Sequence, residues 1–351
     1  MGAESNFPAR LTGGVVKAAV MTGAREPFEV RDVERREPGP GQVRLRIAAS
    51  GVCGTDTHVW HGSYIDVPLP AVLGHEPVGV VEALGPGVVD VALRDRVGVG
   101  WVQRGCGHCG HCARAREVYC PDPVTWEHNG GGFAQYMIAE ASGCVRIPNG
   151  LDWLSAAPMF CAGFTVMSGY RSASPRPGDR VAILGTGGLG HLALQIAKTM
   201  GHEVIAITRA ADKTGSLRSL GADQVVVIDQ HAGHDLRNAG GADVILATSI
   251  NMKQTGQVLS GLRDGGTLVT MAVADDAFSV KPVLALTRQF TIKGSGQNVR
   301  ADLVEVLELA AAGRIKPVLE VYGLEEVNTV FERLDRGAVR YRAVFDLGDA
   351  A

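Results

Sequence analysis

The sequence predicts an α/β protein in which a barrel-like, antiparallel β domain is joined to a doubly wound parallel sheet flanked by helices. Three observations carry that expectation. From Val15 to about Pro148 the chain is a succession of short alternating or β-branched runs, such as VRLRIAASGV and DRVGVGWV, broken by Gly and Pro. From about Asp179, strand-like and helix-like segments alternate, the pattern of parallel β-α-β units. At 351 residues the chain exceeds the usual size of a single core and divides naturally into two domains.

The first expected strand is Val15–Met21, behind a leader (MGAESNFPARLTGG) that lacks the apolar stretch of a secretory signal. In the second region the strand RVAILG runs through a glycine cluster into the helix HLALQIAKTMG. The strand EVIAIT, the helix KTGSLRSLGA, the strands QVVVID and ADVILAT, the helix MKQTGQVLSGLRDG and the strand GTLVTMAV follow. Beyond residue 298 comes a helix, RADLVEVLELAAAG. The closing segment, through RYRAVFDL, is expected to return a last strand to the β-rich domain.

Composition narrows the function. Hydrophobic residues make up 46% and charged residues 20%, ordinary for a globular protein. Net charge is −3 without a basic stripe or acidic block, so no nucleic-acid partner is expected. No apolar run approaches the ~18–20 residues that cross a bilayer, so no membrane role is expected either. A cytoplasmic location is the default, and its reducing chemistry asks what the seven cysteines do.

Gly185-Thr186-Gly187-Gly188-Leu189-Gly190 fits G-x-G-x-x-G between a strand and a helix. Gly185 would make the tight turn, Gly187 would admit a pyrophosphate close to the backbone, and Gly190 would let helix and strand pack. The next strand ends in Thr208-Arg209 rather than the carboxylate that binds a ribose diol. A hydroxyl and a guanidinium favour a 2′-phosphate, so NADP is preferred over NAD, with Lys213 counted in the same subsite. The alternative, a solvated Arg209 with Asp212 reaching the ribose, stays open.

Cys106-x2-Cys109-x2-Cys112-x7-Cys120 has the compact spacing of a closed tetrahedral zinc site that stabilises a lobe. His108 and His111, between those cysteines, read as exposed loop residues. A second set is dispersed: Cys53, His75-Glu76 and Cys161. By spacing alone these read as packed barrel residues rather than ligands.

Taken together, Gly74-His75-Glu76-x2-Gly79-x5-Gly85-x2-Val88, the cysteine quartet, AAPMFCAGFTV and GTGGLG resemble, in order, the zinc-dependent medium-chain alcohol dehydrogenases. The resemblance spans residues 15–347. It implies a GroES-like β-barrel catalytic domain (1–158 and 299–351) interrupted by a Rossmann domain (159–298). It implies two zinc ions per chain and a hydride moved between a small-molecule alcohol or aldehyde and the nicotinamide. By the same resemblance Cys53, His75 and Cys161 hold the catalytic zinc, with Glu76 beside it and Asp56 orienting His75. Thr55 and His58 form the proton relay, Tyr64 and Trp101 line the substrate pocket, and Arg300 serves the pyrophosphate. Cysteine at 161 favours alcohol over polyol dehydrogenases. Length and the short structural-zinc segment resemble homo-oligomeric, tetrameric microbial members more than dimeric ones. The chain departs from the family pattern at Gly54, Tyr64 and Asn298. His61, His128, His191 and Cys144 are expected to be structural. Two competing readings are a reductase of activated C=C bonds using NADPH and a non-catalytic binding protein on the same scaffold.

Overall fold

The computed structural model describes residues 14–229 and 231–348, so the expected leader lies outside it apart from Gly14. The parallel sheet has six strands, in the order Gln224–Val227, Glu203–Thr208, Arg180–Leu184, Ala242–Ala247, Leu262–Thr270, Thr291–Gly294. Its central strands are apolar runs with both faces covered, as parallel sheets require. Arg180–Leu184 is buried along its whole length. The strand order reverses beside it, which opens a crevice at its carboxyl end.

The other large sheet runs Val145–Arg146, Arg96–Gly98, Glu76–Leu84, Gln42–Val52, Arg342–Asp346, Leu319–Tyr322, with Tyr136–Glu140 also pairing Gln42–Val52. The returning strand is there: Ala343 pairs with Val52 and Phe345 with Ser50, antiparallel. Phe28, Phe133, Phe331 and Phe345 pack edge and tilt against one another and tie the two chain regions into one core. Among the described residues no helix is long and apolar enough to cross a membrane.

Three expectations need correction. The β-rich sheet is mixed rather than wholly antiparallel, because Leu319–Tyr322 runs parallel to Arg342–Asp346. The helix Val327–Asp335 provides the crossover such a pair needs. Between QVVVID and ADVILAT lies a helix, Ala232–Asn238, masked in the sequence by glycine and polar residues; within it Ala232, Gly233 and Leu236 are buried. The helix read as MKQTGQVLSGLRDG ends early, since Leu262 already pairs with Ala242 in a bulged strand. Gly265, at φ 75°, sits in that irregular stretch.

Candidate active site

The strand Gln42–Val52 delivers Cys53 to the N-cap of the helix Gly54–Trp60. Asp56, in the first turn, accepts the Cys53 N–H at 2.8 Å through one carboxylate oxygen. Its other oxygen accepts the Nδ1–H of His75 at 2.9 Å, and both side chains are 1% exposed. That bond orients the ring and turns Nε2 toward the sulfurs. Nε2 lies 3.3 Å from the Cys161 sulfur, and the Cys53 and Cys161 sulfurs are 3.8 Å apart. Two sulfurs about 2.3 Å from a tetrahedral zinc stand roughly 3.8 Å apart, so the donors fit that ion. A disulfide would need ~2.05 Å.

Donor atoms of Cys53, His75, Glu76 and Cys161 all lie within 4.8 Å of one another, and all four residues are buried. The Cys161 thiol, followed by His75 and Arg342, holds the Cys53 thiol well below its ordinary range against desolvation. Cys161 is driven up by Cys53 and by burial, so one thiol ionises at the other's expense. Burial lifts Glu76 to about 7 even though Arg342 opposes the shift.

Arg342 is the residue the sequence reading missed. Its guanidinium pairs with Glu76 in the interior. The same side chain borders the glycine loop: a Cβ on Gly188 would come within 3.2 Å of its Cδ. It therefore ties the metal donors to the dinucleotide cradle. In sequence it is one of two arginines in VRYRAVF, without a motif to mark it.

The second cluster gathers Cys106, Cys109, Cys112 and Cys120. Cys109 lies 3.5 Å from Cys112 and 3.9 Å from Cys120, sulfur to sulfur, again the edge of a zinc-sized tetrahedron. Backbone amides of Cys106 and Asp122 donate to Cys120, and that of Cys112 to Cys109. The Cys112 amide in particular brings Cys109 down to about 7. His108 and His111 are exposed.

In the glycine loop, Gly185 has φ 91°. A Cβ on Gly190 would lie 1.9 Å from the Gly185 carbonyl oxygen, whereas one on Gly187 would meet nothing within 4 Å. The turn and the tight helix packing thus demand glycine at 185 and 190, and the backbone at 187 is open to a ligand. Thr208 is buried, and its hydroxyl accepts from the Thr186 hydroxyl and the Ala210 amide. Arg209 is exposed and Lys213 half-buried, in and after the turn that follows.

One cleft of ≈ 510 Å³ joins these parts. Cys53, Thr55, His58, His75 and Cys161 line it, with Tyr64 and Trp101, Leu189 of the glycine loop, and Arg300. Thr55 Oγ1 stands 3.7 Å from the Cys53 sulfur. Trp101 meets the His75 ring edge-on at 5.1 Å. His61 pairs with Asp335 at 2.9 Å; His128 closes a capping box on Thr125; His191 is packed under the glycine loop. Cys144 is half-buried, and the desolvation of its thiol pushes it up to about 12.

Fold and site define a metal-carrying, dinucleotide-dependent oxidoreductase. Residues 39–149 match the alcohol dehydrogenase GroES-like domain and residues 188–312 the zinc-binding dehydrogenase domain. An alcohol dehydrogenase of Geobacillus stearothermophilus is 36% identical over 95% of this chain and 99% of its own. A cinnamyl alcohol dehydrogenase of Sorghum bicolor superposes with TM-score 0.87 at 30% identity, covering 96% of this chain and 99% of that one. An acetophenone reductase of Geotrichum candidum, solved with NAD, gives 0.83 at 27% identity over 95% and 97%. The chain belongs to the zinc-dependent alcohol dehydrogenases of the medium-chain dehydrogenase/reductase superfamily. It is an oxidoreductase that uses zinc and a nicotinamide cofactor.

Proposed function

We propose that Cys53, His75 and Cys161 hold the catalytic zinc and that the site oxidises alcohols with NADP+ or, in reverse, reduces aldehydes with NADPH. The carrying observation is that the three donors and Leu189 of the glycine loop open onto one cleft. When bound, the zinc supplies Lewis acidity and the nicotinamide accepts or returns the hydride. Asp56 holds the His75 ring so that Nε2 faces the donors. Thr55, beside Cys53 and on the cleft wall, is placed to take the proton of a bound alcohol, and His58 on the same helix is placed to pass it outward. Glu76 is a fourth donor within reach that Arg342 holds back. The cysteine quartet is taken as the structural zinc site, giving two ions per chain.

NADP is preferred because Arg209 and Lys213 follow the second parallel strand and no carboxylate ends it. Residues 1–158 with 299–351 are taken as the catalytic domain and 159–298 as the Rossmann domain. A homo-oligomer, tetrameric by resemblance, is supported by the edge strand Thr291–Gly294 and the helix Pro282–Arg288. Every residue of that strand is exposed, and Val283 and Leu286 of the helix are 64% and 76% exposed. Seven cysteines outside any disulfide support a cytoplasmic setting.

Metal analysis combined with kcat/KM for alcohols, aldehydes and enals, each under NADPH and NADH, tests the assignment. Two zinc ions, alcohol turnover and an NADPH preference are expected. Turnover confined to enals would instead favour the C=C reductase.

A further inference from the structure

Gly296 and Asn298 belong to a short segment that walls the cleft. That segment is fastened at several points. The Asn298 backbone N–H donates to Ser168 Oγ at 3.1 Å, and its side-chain amide donates to Ser172 Oγ and Ser295 Oγ at 3.1 and 3.0 Å. Ser168 in turn donates to Asp302 at 2.6 Å. The Gln297 amide donates to the carbonyl of Phe160 at 3.3 Å. Ser168 and Ser172 sit on the helix Ala162–Ala173, whose N-cap is Cys161. The latch therefore registers the wall against a metal-donor thiol.

At the middle of this wall there is no side chain. A Cβ on Gly296 would meet no atom within 4 Å, and its φ lies outside the left-handed region, so the backbone would accept any residue. Gly296 is exposed, and the cleft it borders is also lined by Trp101 and Tyr64. Gly100, next to Trp101, approaches the same segment: its Cβ would lie 3.6 Å from Gln297 Oε1. Trp101 is backed edge-on by Trp126 at 5.8 Å, which is 1% exposed. Tyr64 meets Trp101 edge-on at 6.0 Å from the rim, with φ 76°, a strained setting for a bulky residue.

We propose that the bare wall at Gly296, held by the Asn298–Ser168 latch on the cleft that Trp101 also lines, selects alcohols and aldehydes whose reacting carbon carries a flat, bulky apolar group such as an aryl ring. This rests on the alcohol and aldehyde reading above. Aromatic edges favour an offset ring over an alkyl chain, and the missing side chain provides the room. Asn298 acts here as a positioning residue.

The test compares kcat/KM for ethanol, benzyl alcohol and 2-naphthylmethanol in the wild type, Gly296→Leu, Gly296→Ala and Asn298→Gly, each with its melting temperature. The wild type is expected to favour the arylmethanols at least tenfold. Gly296→Leu should cut the naphthyl-to-ethanol ratio at least tenfold, mainly through KM, with Gly296→Ala intermediate. Asn298→Gly should lower the ratio several-fold and speed amide exchange over 294–299. A wild-type preference for ethanol, or equal losses on all three alcohols, overturns the proposal. So does an Asn298→Gly change seen only in melting temperature. If no alcohol is turned over at all, the functional reading fails; if ethanol turns over and the ratio does not move, only the selectivity fails.

Discussion

Arg342 and Glu76 face each other in the protein interior, their side chains 3% and 0% exposed, although 266 positions separate them. Removing one partner leaves a buried charge without its mate, which costs about 3–5 kcal/mol. Arg342→Leu is expected to lose that much in urea unfolding. Arg342→Leu with Glu76→Leu should recover a large share. Equal losses in the single and double variants would refute the pairing as the cause.

His191 gives the stability a pH dependence. Burial, then Arg342, lowers its pKa from 6.5 to about 4. Its Nε2 accepts the Val318 N–H at 3.2 Å, a bond only the uncharged ring can accept. Between those two values the unfolded chain binds more protons than the folded one, so stability rises with pH. The contribution is whole above about pH 6.5 and falls with pH by about 3 kcal/mol in all, levelling off below about 4. His191→Gln should flatten this part of the profile when unfolding is followed from pH 4 to 7. An unchanged slope would count against it.

The two cysteine sets should respond differently. Cys53→Ser is expected to remove one zinc per chain and turnover with the fold intact by circular dichroism. Cys109→Ser should mainly lower stability, because a closed site contributes its binding energy to folding. Full activity in Cys53→Ser would end the assignment of that thiol.

Gly190→Ala places a methyl 1.9 Å from the Gly185 carbonyl oxygen. The glycine loop must shift to admit it, at a cost of about 1–3 kcal/mol. Dinucleotide affinity, read by quenching of tryptophan fluorescence, should fall at least tenfold. Wild-type affinity would show that the close packing is not needed.

Much of this was legible in the sequence because the relevant signals are local. Strands buried on both faces, such as RVAIL, read as unbroken apolar runs, and the cysteine quartet and glycine loop carry their chemistry in fixed spacing. The helix Ala232–Asn238 was not legible, since polar and glycine residues carry no 3.6-residue apolar rhythm. The hydrogen bonds that Thr208 accepts from Thr186 and Ala210 were not legible either. Arg342 has a meaning that depends on a partner brought near only by the complete fold. The Asn298 latch joins residues up to 134 positions apart and was equally invisible.

The strand Arg342–Asp346 fills the place beside Gln42–Val52. On the ribosome, the parallel sheet has all six strands once residue 294 has emerged, while the earlier half still lacks an interior strand. The first half to be synthesised is therefore the last to close, and until then its sheet shows an open edge to chaperones and to neighbouring nascent chains.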